Sequence, residues 1–213
     1  MKNIHPIVPA VFVPTASQKR AREIMGRNIL GVEEAIEYFG VDPSKEQLAA
    51  LSGIQFSEED MLKRKYGHIL VADTMLSMLD IGNKIRKKIG DDVWHNWNNE
   101  EGFARVCSGE AKWYLVNKEP VINSTLKTWA EQLKLLGKDE GVPTARLMIC
   151  TIIGHYLATG EMLFKDDYVL CSDVSSMGCH IGVGYFDGHH LRIGHFRDSD
   201  YGPSVGLASF LRK

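Results

Sequence analysis

Residues 179–212 read CHIGVGYFDGHHLRIGHFRDSDYGPSVGLASFLR, and the fold of the chain is decided by how this stretch is understood. Ile181 and Val183, Leu191 and Ile193, and Val205 and Leu207 are apolar pairs two residues apart, the spacing of strands that bury one face. From Gly178 to Gly206 there are seven of the chain's 20 glycines in 29 residues, which excludes helix and leaves turns and short strands. Gly182, Gly184 and Gly206 are positions where a turn or a close backbone approach is expected. Strands are therefore expected over His180–Phe186 and Val205–Leu211, preceded by one over Tyr168–Val174.

Between the apolar positions sit Tyr185, His189, His190, Arg192, His195, Phe196, Arg197, Asp198, Ser199, Asp200, Tyr201 and Ser204. These twelve form the candidate ligand-binding set. Tyr, Phe, Arg and His bring large contact area and directional hydrogen bonds. Ser adapts at low bulk, as in antibody loops. Side chains held on strands lose little freedom when they bind. Taken singly, each is a solvated loop side chain. Arg197 and Asp198 can equally be read as invariant scaffold.

The same stretch has 34 residues and not one Lys, Glu, Gln, Met or Trp. Residues 1–178 hold 14, 14, 4, 8 and 4 of these, about a quarter of that length, so about eight are expected here at the same rate. The missing set has a coding meaning. When both adenines of an Asn codon AAY are replaced by any base, the product NNY never encodes those five types. The bland alternative is a Gly-rich β segment that simply lacks long side chains.

Working outward, Pro143 opens a helix over Thr144–Thr159 that Gly160 closes. Leu126–Leu136 reads as an amphipathic helix with Leu126, Trp129, Ala130 and Leu133 on one face. Ala111–Val116 is a strand candidate, and residues 91–109 lack any period and read as loop. Asp73 is the expected cap of a helix reaching about Lys88, with Gly90 as its stop and Met75, Met78, Leu79, Ile85 and Ile89 along one side. His68–Ala72 reads as a buried strand. Nearer the N-terminus, Ala21–Tyr38 is a helix candidate, Asp42-Pro43-Ser44 a helix start on an Asp cap, and Ser57 with Asp60 a capping box. Tryptophans 94, 97, 113 and 129 are expected core or loop anchors, Trp129 packing its helix on the sheet.

The whole chain of 213 residues carries a formal net charge of −2, and 44% of it is hydrophobic. The charge balance argues against a nucleic-acid partner. The longest apolar run, Leu147–Gly160, is too short to span a membrane. Pro6, Pro9 and Pro14 break the apolar N-terminal stretch, so no signal peptide is expected. Cys107, Cys150, Cys171 and Cys179 then read as reduced thiols of a cytoplasmic protein, with surface display by another route left open.

Ile122–Leu136 (INSTLKTWAEQLKLL), Thr144–Phe164 (TARLMICTIIGHYLATGEMLF), Cys171-Ser172-Asp173, Gly184 with Phe186-Asp187, and Val205–Ser209 (VGLAS) before an Arg-Lys end together resemble the variable proteins of diversity-generating retroelements. The likeness is to the branch of uncultivated archaea and small-genome bacteria, and it covers roughly residues 60–213. It implies an α+β chain with the C-type lectin fold: helices packed on a small antiparallel sheet in which the chain ends. Residues 67–213 would form that domain, with a hypervariable segment at about 179–213, and residues 1–66 a helical N-terminal extension. It implies a solvent-facing, adenine-directed variable surface that binds an unknown protein or glycan ligand, with no catalysis and no cofactor. Oligomeric state stays open, a monomer being the favoured reading.

Two rivals stand beside this. Cys171, Cys179, His180, His189, His190 and His195 could ligate zinc, structurally or in an enzyme, although no C-x-x-C or H-E-x-x-H spacing is present. The second rival is a constant interaction module without diversification. Glu119-Pro120 echoes the sugar-binding triplet of calcium lectins, but Val121 follows it and later acids do not cluster as calcium ligands.

Overall fold

The computed structural model describes residues 12–89, 100–107 and 110–213. The expectations for Trp94, Trp97, Gly90 and most of the 91–109 loop lie outside the described residues. Along the chain run α1 (Ala16–Met25), β1 (Ile29–Leu30), α2 (Val32–Phe39), α3 (Lys45–Ala50), α4 (Glu58–Arg64), β2 (His68–Asp73) and α5 (Met78–Ile89). There follow α6 (Gly102–Arg105), β3 (Lys112–Asn117), α7 (Trp129–Leu133), β4 (Glu140–Gly141) and α8 (Ala145–Thr159). The chain ends in β5 (Tyr168–Val174), β6 (His180–Gly184), β7 (Arg192–Phe196), β8 (Val205–Leu207) and β9 (Phe210–Leu211). The class is α+β, with two sheets.

The first sheet has the order β1-β2-β3-β9-β4, parallel only between β1 and β2. Ile69, Val71 and Val116 face one apolar cluster, while Leu70, Ala72, Trp113 and Leu115 face a second one built with Ile24, Leu51 and Phe56. Burial on both faces explains why β2 reads as an unbroken apolar run. The second sheet has the order β7-β6-β5-β8, antiparallel except for β5 with β8. Its Val169, Cys171, Ile181, Val183 and Ile193 share the first cluster with Met148, Ile149 and Ile152 of α8. Helix α8 is closed by Gly160 at φ 74°, as its sequence predicts, but it is Thr144 that caps its start, which leaves Pro143 just outside the helix. It is not amphipathic: ten of its 15 residues are buried, so it is apolar all round because it has no solvent face over most of its length.

Several sequence expectations are corrected. The Ala21–Tyr38 helix is two helices with β1 between them. Gly26 at φ 57° ends α1, and Ile29 and Leu30 gain ladder partners in Leu70 and Val71. The segment before residue 67 is thus not only helical: it adds a strand to the first sheet and places Leu30 and Phe39 in the main core. Ser44, not Asp42, caps α3, because Ser44 and Gln47 satisfy each other's backbone N–H groups. The Ser57–Asp60 box of α4 is present. Asp73 caps nothing. It ends β2, and α5 starts after a Ser77–Asp80 exchange of hydrogen bonds.

Leu126–Leu136 contains only the five-residue α7. Asn123 and Leu126 take left-handed φ of 63° and 57°, and Leu126 and Leu133 are exposed while Gln132 is fully buried. The Gln132 amide donates to Ser124 O and Val205 O, so this segment is tied to β8 by hydrogen bonds, not by an apolar stripe. Val205–Leu211 is two strands in different sheets, crossing at Ala208-Ser209.

One half-buried imidazole contributes a pH dependence to stability. His68 opens β2, and its Nδ1 is buried with no hydrogen-bond partner among the described residues. Burial first, then the charge of Arg64, push it down to about 4. The unfolded chain takes that proton near pH 6.5, so stability present above pH 6.5 is lost as pH falls toward 4, by about 3 kcal/mol at full extent. Urea unfolding at pH 7 and pH 4.5 should show most of that loss in the native chain and much less in His68→Gln. An equal loss in both would assign the acid sensitivity elsewhere.

Candidate ligand-binding surface

The alternation in 179–212 sorts side chains between the two faces of the second sheet. Ile181, Val183, Leu191, Ile193 and Leu207 are buried, as read from sequence, while Val205 is half-buried. Of the twelve candidate residues, His189, His190, Arg192, Arg197, Asp198, Ser199, Asp200 and Tyr201 are exposed. Tyr185, His195, Phe196 and Ser204 are half-buried, and none of the twelve is buried.

At one end of the outer face the rings gather. Tyr185 leaves β6 at φ 46°, its N–H donating to Asp167 O at 3.0 Å. This turn is why the strand stops at Gly184 and not at the expected Phe186. The Tyr185 ring lies 4.8 Å from that of Tyr168, which lies 5.2 Å from Phe196, and the Arg192 guanidinium stands 5.7 Å from the Tyr185 centroid. Burial raises the Tyr168 phenol above its ordinary value, against the opposing charge of Arg192.

Phe196 is not a freely displayed ring. It lies across the sheet where Gly182 and Gly194 carry no side chain: a Cβ at either would come within 2.5 and 2.7 Å of it. His195 is a further departure. Strand periodicity puts Arg192, Gly194 and Phe196 on one face and Ile193 and His195 on the other. His195 therefore faces away from the ring cluster, with Phe103 6.4 Å from it.

At the other end, Trp129 stacks on His180, centroids 3.8 Å apart and 23° from parallel. His180 Nε2 lies 3.1 Å from Asp198 Oδ1, and Trp129 N–H donates to Asp198 O at 3.3 Å. Burial lowers the His180 imidazole below its usual range more than Asp198 raises it. Asp198 thus both anchors its loop and shows one exposed carboxylate. The Asp200 carboxylate accepts Arg197 N–H at 2.8 Å, closing the turn with Ser199 within it. On a neighbouring loop Asp187 accepts N–H from His190 and His189, which hold its carboxyl down to about 2.

Sequence reasoning missed Tyr168 and His180 as members of this face. Tyr168 lies before the glycine-rich stretch, yet its ring reaches over β7, where its Cε1 comes 3.4 Å from where a Cβ of Gly194 would stand. Tyr168 could have been found from its place at the head of a strand flanked by glycine-bearing partners. For His180 no sequence signal existed, because the stack depends on where α7 comes to rest. The face offers rings, two guanidiniums, imidazoles and carboxylates, a set suited to contact.

Among the described residues, no group of three or more His, Cys, Asp or Glu side chains converges as metal ligands. Cys171 is buried in the core and Cys179 half-buried before β6. No helix among the described residues is long and apolar enough to cross a membrane.

Comparison with known protein families, with curated proteins and with solved structures gives no match for this chain.

Proposed function

We propose that this chain is a ligand-recognition protein of the retroelement variable type, with a C-type lectin fold and a diversified face carried by residues 179–212. The observation that carries the reading is the division of that segment. Five of the six apolar alternates, Ile181, Val183, Leu191, Ile193 and Leu207, are buried while none of the twelve candidate positions is. A surface that must tolerate change needs that separation, since stability then resides in residues that do not vary. Further support comes from topology: β9 is paired antiparallel with β3, and α8 packs on β5 and β6. Two features depart from the expected plan. Only α8 is a long helix after residue 120, and β8 joins the second sheet in parallel. The ligand is a protein or glycan, and the chain performs no catalysis.

The test is a paired library. NNY codons at 185, 189, 190, 192, 199 and 201 should leave most members folded by protease resistance. The same codons at 181, 183, 191 and 193 should leave few. Similar folded fractions in the two libraries would overturn the reading. Beside the gene, a near-repeat of the codons for this segment, carrying AAY at the displayed positions and adjoining a reverse transcriptase, is expected.

A further inference from the structure

A second feature lies away from the displayed residues, around the end of β9. Leu211, Arg212 and Lys213 run between two hollows of about 240 and 440 Å3. Lys112 borders the smaller, and Arg64 and Lys138 border the larger together with Asp60 and Asp139. Five cations and two carboxylates therefore surround the pair, in a chain whose formal net charge is −2.

The carboxylates leave three of the five cations without an ion-pair partner among the described residues. Asp60 is taken by Lys213 at 2.7 Å and by Arg64 at 3.7 Å. Among the described residues, Lys112, Lys138 and Arg212 have no carboxylate within ion-pair distance; Lys112 instead lies 5.1 Å over the Tyr114 ring. Arg212 is also positioned. Its N–H donates to Asp139 O at 2.7 Å, and its Nε lies 2.6 Å from where a Cβ of Gly141 would stand. The missing side chain at 141 is what lets the guanidinium lie across β4. Unpaired like charges crowded around a concavity raise its potential and draw in an anion. A guanidinium flanked by lysines matches the oxygens of phosphate.

We propose that the hollows beside the C-terminal strand bind a ligand bearing two or more phosphates, with Arg212 and Lys138 on one phosphate and Lys112 on another. This site is independent of the displayed face and stands whether or not that face is diversified.

The probe is inorganic pyrophosphate, titrated into the full chain at constant ionic strength and followed by amide shifts and by Tm. Saturable binding and a raised Tm are expected for the native chain. Lys138→Gln with Arg212→Gln, both at exposed positions, should weaken binding roughly tenfold or more. Without anion its Tm should equal or exceed the native value, since repulsion is relieved. Lys112→Gln alone should weaken binding less. Absence of saturable binding, or equal binding by the double variant, overturns the proposal. Vesicles of phosphatidylcholine doped with phosphatidic acid separate the sources. Co-sedimentation that the double variant loses supports a lipid phosphate, and pyrophosphate binding without it supports a soluble one.

Discussion

Replacing Arg146 with Met should destabilise the chain by about 3–5 kcal/mol, lowering Tm by about 10 °C. Arg146 stands in the first turn of α8 and Asp73 at the end of β2, and both are buried, at 8% and 4% exposure. The guanidinium donates from Nη1 and Nη2 to the two carboxylate oxygens, each at 2.6 Å. Removing the cation leaves a carboxylate in the interior, bonded only to the Met75 N–H that Oδ1 already accepts. Desolvation of the stranded carboxylate then dominates. Chemical denaturation of Arg146→Met gives the loss directly. The double variant Asp73→Leu/Arg146→Met should recover most of it, because no charge is stranded. A single-variant loss below about 1 kcal/mol would mean that the pair is not what joins β2 to α8.

Gly184→Ala is the second large effect expected, a loss of about 3 kcal/mol or non-folding. A Cβ there would stand 1.9 Å from the backbone carbonyl oxygen of Asp167. That carbonyl is fixed: it accepts the Tyr185 N–H at 3.0 Å, and the next residue pairs with Gly184 across the ladder. Nothing flexible can move aside, so the β5–β6 register must break. Gly202→Ala is the internal control, since a Cβ there meets only Val205 at 3.6 Å, and a change within about 0.5 kcal/mol is expected. Thermal unfolding of the two variants separates a backbone requirement from a general intolerance of this glycine-rich stretch. Equal Tm values would remove the close approach as the reason for glycine at 184. If the segment is diversified, 184 must stay glycine while its neighbours change, whereas the space at 182 and 194 is taken chiefly by the Phe196 ring, a side chain that can itself move or be replaced.

How far the sequence was legible follows from the range of the forces involved. Local signals were readable where they were complete within a few residues. The Ser57–Asp60 box and the Thr144–Gly160 span of α8 appear as read. The reading failed where a partner far along the chain outbid local preference. Ile29 and Leu30 look helical until Leu70 and Val71 offer them a ladder. Asp73 looks like a cap until Arg146, 73 positions later, claims its carboxylate. Gln132 looks like the polar side of a helix until Ser124 O and Val205 O turn it inward.

The candidate face divides in the same way. By itself the sequence determined that Ile181, Val183, Leu191, Ile193 and Leu207 go inside, though not that Phe186 does or that Val205 stays half-buried, because a strand has only two faces and burying an apolar residue on one sends its neighbour to the other. That rule separates Ile181 and Val183 from their neighbours, and it would have excluded His195 had Ile193 been weighed. Tertiary structure alone decided what the outward side chains meet. Tyr168 joins Tyr185 and Phe196, Trp129 covers His180, and Arg212 lies across Gly141. Each of these contacts is set by how two sheets and a central helix pack, and packing depends on atoms that no local window of sequence contains.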